Sequence, residues 1–389
     1  MITKISGGTV VTHGKSFPAD VYYEGGKITY VGKDPKPYDK EIKAEGAYVC
    51  PGFIDIHTHG GAGYDFLDNT VEAYHAIAKA HAEHGTTTLL PTVTSSTTES
   101  MLKALKTFKE VKKTKYVGAN MPGIHFEGPY FAPSQKGAQD EKMLRPFTPE
   151  EYNTILAESD DIIRWTGAPE LDGAEGFAKA ITAKGILPCI GHSDANSECV
   201  AKVKDYGFTH ITHLYSATSI VHRKNAYRYG GIVEAAYLYD DITVEIIADG
   251  SHLPYDMVRL VYKIKGADNT ALITDSMRGA GMPDGIETML GSMEDGLRVI
   301  IEDGVAKLPD RTAFAGSVAF FDRLIRTAVD GAKIPLEDAI TMASYTPAKI
   351  VGLKGKGELV PEYDADIVIL DGDLTVKATI VAGETVYDK

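Results

Sequence analysis

Eight short apolar runs, separated by segments of helical periodicity, constrain this chain more than any other feature. The runs are "GFIDIH", "TTTLLPTV", "MPGIHFE", "IIRWTGAP", "ILPCIGH", "HITHLY", "TVEIIADG" and "TALITD". Between them lie helix candidates such as "TVEAYHAIAKAHAEHG" and "ANSECVAKVKDYG". Strand-length runs alternating with amphipathic helices read as βα units, and parallel strands need such crossovers. At 389 residues there is room for one large α/β domain and a small appendage. The pattern therefore predicts an α/β fold, a (β/α)8 TIM-like barrel.

The two ends of the chain follow a different rule. "ADVYYEGGKITYVG" places alternating β-formers on both sides of Gly25-Gly26, a hairpin signal, and "ADIVILDGDL" and "ATIVAGETVYD" repeat the style near the C-terminus. Neither fragment buries enough surface alone. The expectation is one small composite β-sandwich domain built from both termini, residues 1–50 plus 355–389, with the barrel occupying 51–354.

The chemistry-bearing residues stand where the runs stop. Run one ends in His57 and His59, which project to one face because they are two apart on a strand. Run three ends in Glu127, run five in His192, run six in His213 and run eight in Asp275. Barrel active sites are built at the C-terminal strand ends, so these residues are expected to converge. Imidazoles and carboxylates together suit one or two divalent metals, Zn most readily, with Fe, Mn or Co as alternatives. Such a metal lowers the pKa of water toward ~7. Asp275 is the expected general base and acid, and His252 in "ADGSHLP" is placed to polarise a carbonyl or bind substrate. His13, His75, His81, His84, His125 and His210 are expected to be structural, with His75, His81 and His84 on the first helix.

Bulk properties narrow the partners. A formal charge of −14 argues against a general nucleic-acid or acidic-membrane binder, while leaving room for a local basic pocket. Three cysteines without a C-x-x-C pair fit a reducing compartment. With no signal peptide and no apolar run of spanning length, the cytoplasm is the expected address.

The motifs "PGFIDIHTHG", "TTLLPT", "GIHFEGPYFAPSQKGAQ", "GHSDA", "THLYSAT", "IADGSHLP", "LITDSM" and "FAGS" resemble those of the amidohydrolase superfamily, metal-dependent hydrolases on a (β/α)8 barrel. Within it they are similar to the deacetylases of N-acetylated amino-sugar phosphates. The fourth run, "RWTGAPE", lacks the Lys that other branches carboxylate. The resemblance implies that Glu127, His192 and His213 hold a principal metal, that His57 and His59 complete a second position, and that Asp275 is the acid/base. It implies a homodimer in which a basic residue of the partner meets the substrate phosphate.

Departures concentrate at the sugar-phosphate end. The family's "KGAH" is "KGAQ" here, putting Gln139 in place of His. Its "THLFNAM" is "THLYSAT", bringing Ser216 for Asn and Thr218 for Met beside Ala217. Its "HREPG" is replaced by the longer "HRKNAYRYGG", in which Arg223, Lys224 and Arg228 compete for the phosphate in that order. The expected reaction is loss of acetate from a small amino-sugar phosphate. The same reaction on the galacto epimer, hydrolysis of another N-acyl or cyclic amide, and a metal-free scaffold are the alternatives.

Overall fold

A computed structural model describes all 389 residues. Eight parallel strands form one sheet: β1 (Phe53–Thr58), β2 (Thr86–Val93), β3 (Ile124–Glu127), β4 (Ile162–Gly167), β5 (Leu187–Ile190), β6 (His210–Ile211), β7 (Thr243–Ile247) and β8 (Thr270–Ile273). Every residue of β1 and β2 is buried, as strands covered on both faces must be. The two ends of the sheet meet beyond the regular ladder. The Asp275 amide donates to the His57 carbonyl (2.9 Å), and those of His59 and Gly60 donate to the Ser276 carbonyl (2.8 and 3.0 Å). These bonds draw β8 against β1 and close the barrel.

A helix follows each strand: α1 (Val71–Glu83), α2 (Thr98–Val111), α3 (Pro149–Glu158), α4 (Ala174–Thr182), α5 (Ser197–Val203), α6 (Ile232–Leu238), α7 (Tyr255–Lys265) and α8 (Phe321–Arg326). Local sequence starts them: Thr70, Thr97 and Asn196 side chains accept from the amides of Ala73, Ser100 and Cys199. Apolar spacing then fixes the inward face, Met101, Ala104, Leu105 and Phe108 on α2 and Phe177, Ala178 and Ile181 on α4. Phe177 meets Trp165, Tyr130, Phe147 and Tyr152 at ring-centroid separations from 4.6 to 5.5 Å. Burying such a side chain contributes about 2–3 kcal/mol.

Chain ends combine into two further sheets. Ile367–Leu370 runs antiparallel to Tyr48–Pro51, the strand leading directly into β1, inside a six-stranded sheet. Thr3–Ser6, Asp20–Glu24, Lys27–Gly32 and Lys40–Lys43 form a four-stranded one. Ile5, Val21, Ile28, Val49, Ile367 and Ile380 belong to the apolar cluster between them. The hairpin turns at Gly25-Gly26, both at positive φ (56° and 80°), and a Cβ on Gly26 would sit 2.8 Å from the Ala382 carbonyl oxygen. Thus the α/β architecture expected from the alternation, a TIM-like barrel with β-sandwich sheets from both termini, is the one adopted.

Three details differ from the sequence reading. The sixth run pairs only at His210–Ile211, since the chain turns at His213 into the site. His84 caps α1 rather than lying in it. Between β8 and α8 the chain builds an unexpected four-stranded antiparallel sheet, Glu287–Leu290, Leu297–Glu302, Val305–Lys307 and Phe314–Ser317. Its signal was present: Asp303-Gly304, at φ 57° and 68°, is a two-residue hairpin turn between alternating runs.

Candidate active site

All six strand-end residues are delivered within two positions of a paired strand end. His57 lies in β1, His59 just after it, and Glu127 ends β3. His192, His213 and Asp275 each stand two residues beyond β5, β6 and β8, and all three have positive φ (48°, 29° and 44°). For residues with a Cβ this backbone costs roughly 1 kcal/mol or more each. Neighbouring bonds hold it: the Ser216 amide donates to the His213 carbonyl (2.8 Å), and the Ser317 amide to that of Asp275 (2.8 Å). Strain maintained at three converging side chains marks a functional site.

The side chains meet around two carboxylates. Glu127 Oε1 lies 2.9 Å from His213 Nε2, 3.1 Å from His192 Nε2 and 3.6 Å from His57 Nε2. Asp275 Oδ1 lies 3.1 Å from His59 Nε2 and 3.4 Å from His57 Nε2, and His59 Nε2 is 3.4 Å from Glu127 Oε2. Two ligand sets emerge, His57–Glu127–His213 and His57–His59–Asp275, all buried. Electrostatics ask for a cation here. Burial opposes charge on His59, yet Asp275 and Glu127 push its pKa up to about 9. Burial likewise raises Glu127, but its bonds to His192 and His213 outweigh that and hold it well below the usual carboxylate range. His57 Nε2 is buried with no hydrogen-bond partner. An orphaned imidazole nitrogen between anionic oxygens fits a divalent metal, which such buried groups otherwise lack.

Among the imidazoles that offer Nε2, only His59 leaves its other nitrogen without a partner; the rest have it tied. His192 Nδ1–H donates to the Gln135 carbonyl (2.8 Å), His213 Nδ1–H to that of Ser216 (3.0 Å), His57 Nδ1–H to Glu245 Oε1 (2.8 Å) and His252 Nδ1–H to Asp249 Oδ2 (2.8 Å). Such bonds choose the tautomer that leaves Nε2 free. Glu245, Arg164 and Asp249 were absent from the sequence reading. A signal existed, because "TVEIIADG" and "IIRWTGAP" each carry a charge inside a run destined for burial, and buried charges are paired.

These residues floor a cavity of ≈ 280 Å³, lined by His59, Glu127, His192, His213, His252 and Asp275 and, from the loops, by Gln139, Ser216 and Ala217. Leu290 and Phe314 of the unexpected sheet complete the wall, and the Phe314 ring lies 4.9 Å from that of His252. Gln139 donates from Nε2 to Glu127 Oε2 (2.9 Å) and accepts from Thr94 Oγ1 (2.8 Å) and the Ser95 amide (3.1 Å).

Arg223, Lys224 and Arg228 lie elsewhere. None lines the cavity; all three are exposed on an antiparallel ribbon, His222–Lys224 with Tyr227–Tyr229. The cause is local. Asn225 and Ala226 both take positive φ (49° and 68°), which turns the long segment tightly on itself into a two-stranded ribbon.

The remaining histidines have structural partners. His13 pairs with Asp268 (2.7 Å) and stacks on Tyr345, His75 bonds Thr114, and His84 bonds Asp322. His81 reaches the Gly60 carbonyl (3.1 Å), His125 bonds Thr166 (2.8 Å), and His210 bonds Glu245 (3.0 Å).

The description of the Amidohydrolase family matches residues 48–386. The N-acetylglucosamine-6-phosphate deacetylase of Bacillus subtilis is 32% identical over 370 residues, covering 93% of this chain and 91% of that protein. The N-acetylgalactosamine-6-phosphate deacetylase of Escherichia coli O157:H7 is 31% identical over 339 residues, covering 86% and 87%. Among solved structures, that of the N-acetyl-D-glucosamine-6-phosphate deacetylase from Mycobacterium smegmatis superposes with a TM-score of 0.90 at 30% identity, covering 100% of both chains.

Proposed function

From the premise that this chain belongs to the amidohydrolase family, hydrolases of non-peptide carbon–nitrogen bonds, we propose that it removes acetate from N-acetylglucosamine 6-phosphate, leaving glucosamine 6-phosphate. One observation carries the reading: Asp275 and the imidazole–carboxylate cluster share one cavity floor with His252. At ≈ 280 Å³ that cavity suits a small molecule rather than a polymer.

Glu127, His192 and His213 would hold a divalent metal, with His57, His59 and Asp275 holding a second; zinc suits these donors best, and iron, manganese or cobalt would serve. Such an ion supplies Lewis acidity and a water of lowered pKa, near 7. Every other step belongs to the chain. Asp275 accepts a proton from the attacking water and returns it to the departing amine. His252, whose Nδ1–H is held by the Asp249 carboxylate, would polarise the acetamide carbonyl as an imidazolium donating Nε2–H to its oxygen. Gln139, Ser216 and Ala217 bound the sugar.

Phosphate recognition is assigned to the 222–229 ribbon of a second copy. Arg223, Lys224 and Arg228 are exposed beside Ile220, Val221, Tyr227 and Tyr229, which are exposed apolar residues at the same place. A homodimer would cover that apolar surface and carry the bases to the partner's cavity. No helix is long and apolar enough to cross a membrane, and three free thiols support a cytoplasmic address. The galacto epimer is the second reading, supported by the E. coli relative.

Acetate release from both phosphorylated epimers and from unphosphorylated N-acetylglucosamine tests this, with chelated enzyme and Asp275→Asn alongside. Turnover on a phosphorylated sugar, lost on chelation and reduced about 10²–10⁴-fold in Asp275→Asn, is expected. No turnover on any of the three by metal-loaded enzyme would overturn the sugar assignment.

A further inference from the structure

Glu245 sits within β7, fully buried, and does not line the cavity. Its carboxylate gathers donors from three other strands. Oε1 accepts from His57 Nδ1–H of β1 (2.8 Å) and an Arg164 terminal nitrogen of β4 (3.2 Å); Oε2 accepts from His210 Nε2 of β6 (3.0 Å) and the other Arg164 nitrogen. Arg164 is equally buried and is itself tethered to the Ile56 carbonyl (3.3 Å) and Thr212 Oγ1 (3.0 Å). A forked guanidinium held at both ends leaves the carboxylate one orientation. Because Glu245 reaches no cavity surface, its influence on the site passes through His57, whose Nε2 is the unpartnered atom facing Glu127 and Asp275.

We propose that Glu245, locked by Arg164, is the positioning residue that delivers His57 Nε2 to the cation position shared with His59 and Asp275, and so decides whether that second position fills. This rests on the reading of His57 as a metal ligand. The physical basis is tautomer and aim. An imidazole without a fixed Nδ1–H partner also populates the Nε2–H form, which cannot ligate through Nε2, and its ring is free to turn. A carboxylate acceptor removes both freedoms and raises ligand basicity, and losing such a partner weakens metal affinity about 10–100-fold. The Glu127–His192–His213 position keeps three donors that make no bond to the Glu245 side chain, since His192 and His213 are fixed by main-chain carbonyls.

Zinc titration of the metal-free protein, without substrate, tests the proposal. Wild type is expected to take up two equivalents per subunit. Glu245→Gln is expected to bind the first with wild-type affinity and the second about 10–100-fold more weakly. Two equivalents bound as tightly as in wild type would overturn the proposal, and so would a variant that only melts earlier with both affinities intact. Should Glu245→Gln misfold around the stranded guanidinium, Arg164→Met with Glu245→Gln removes both charges, and the same split is expected. A reading on the unaltered chain stands independently: the ¹⁵N imidazole signals of the metal-free protein, assigned to His57 by their loss in His57→Gln, are expected to report Nδ1–H. An Nε2–H tautomer overturns the proposal. A wild-type protein that binds one equivalent also overturns it, while leaving the deacetylase reading standing.

Discussion

His81 and Asp55 offer a quantitative test of how burial governs charge beside the site. His81 Nδ1 lies 3.7 Å from Asp55 Oδ2, and both side chains are fully buried. They nevertheless favour neutrality over an ion pair. Burial drives the His81 pKa from 6.5 down to about 4 and pushes Asp55 up to about 7, although the Thr274 hydroxyl donates to it. A depressed imidazole stabilises the fold fully above its unfolded pKa, and that contribution is lost as pH falls from 6.5 through 4. Asp55, being raised, acts in the opposite sense, gaining as pH falls below 7, so the two slopes oppose in the wild type. With a folded value of about 4 against 6.5 unfolded, His81 withdraws about 2 kcal/mol between pH 7.5 and pH 5.0. His81→Gln removes that loss. Urea unfolding at the two pH values should therefore show the variant changing by about 2 kcal/mol more favourably than wild type on acidification. Parallel pH dependences for variant and wild type would refute the assignment of a buried neutral imidazole.

Other expectations follow from packing and from the site. Phe177→Ala opens a hole among Trp165, Tyr130, Phe147 and Tyr152 and should cost about 3–5 kcal/mol, read as a lower urea midpoint at unchanged slope. Gln139→Leu strands Glu127 Oε2, Thr94 Oγ1 and the Ser95 amide; a loss of about 1–3 kcal/mol in thermal unfolding, together with weaker zinc binding, is expected. Arg223→Ala should raise KM for the phosphorylated sugar about tenfold without changing kcat/KM for the unphosphorylated one, and an equal effect on both substrates would remove Arg223 from phosphate recognition.

Much of the architecture was legible because it depends on local rules. Strand-length apolar runs and helix-period segments record burial residue by residue, and the strand-end positions of His57, Glu127, His192, His213 and Asp275 need only the knowledge that barrel sites form there. The 287–317 sheet was missed although Asp303-Gly304 marked a turn, since the eight βα units already accounted for the apolar runs.

By itself, then, the sequence determined the α/β barrel, its two-ended β appendage and the donor types gathered at its mouth, because periodicity and run ends are properties of neighbouring residues. Tertiary structure alone decided what each donor faces. That Glu245 of β7 meets Arg164 of β4, His210 of β6 and His57 of β1 depends on the register of strands far apart in the chain. That Gln139 falls on Glu127 depends on the path of a loop, and that residues 222–229 fold into an exposed ribbon depends on two residues turning left-handed. Orientation in space, rather than residue type, sets the ring nitrogen that stays free, and orientation is fixed only once the barrel closes.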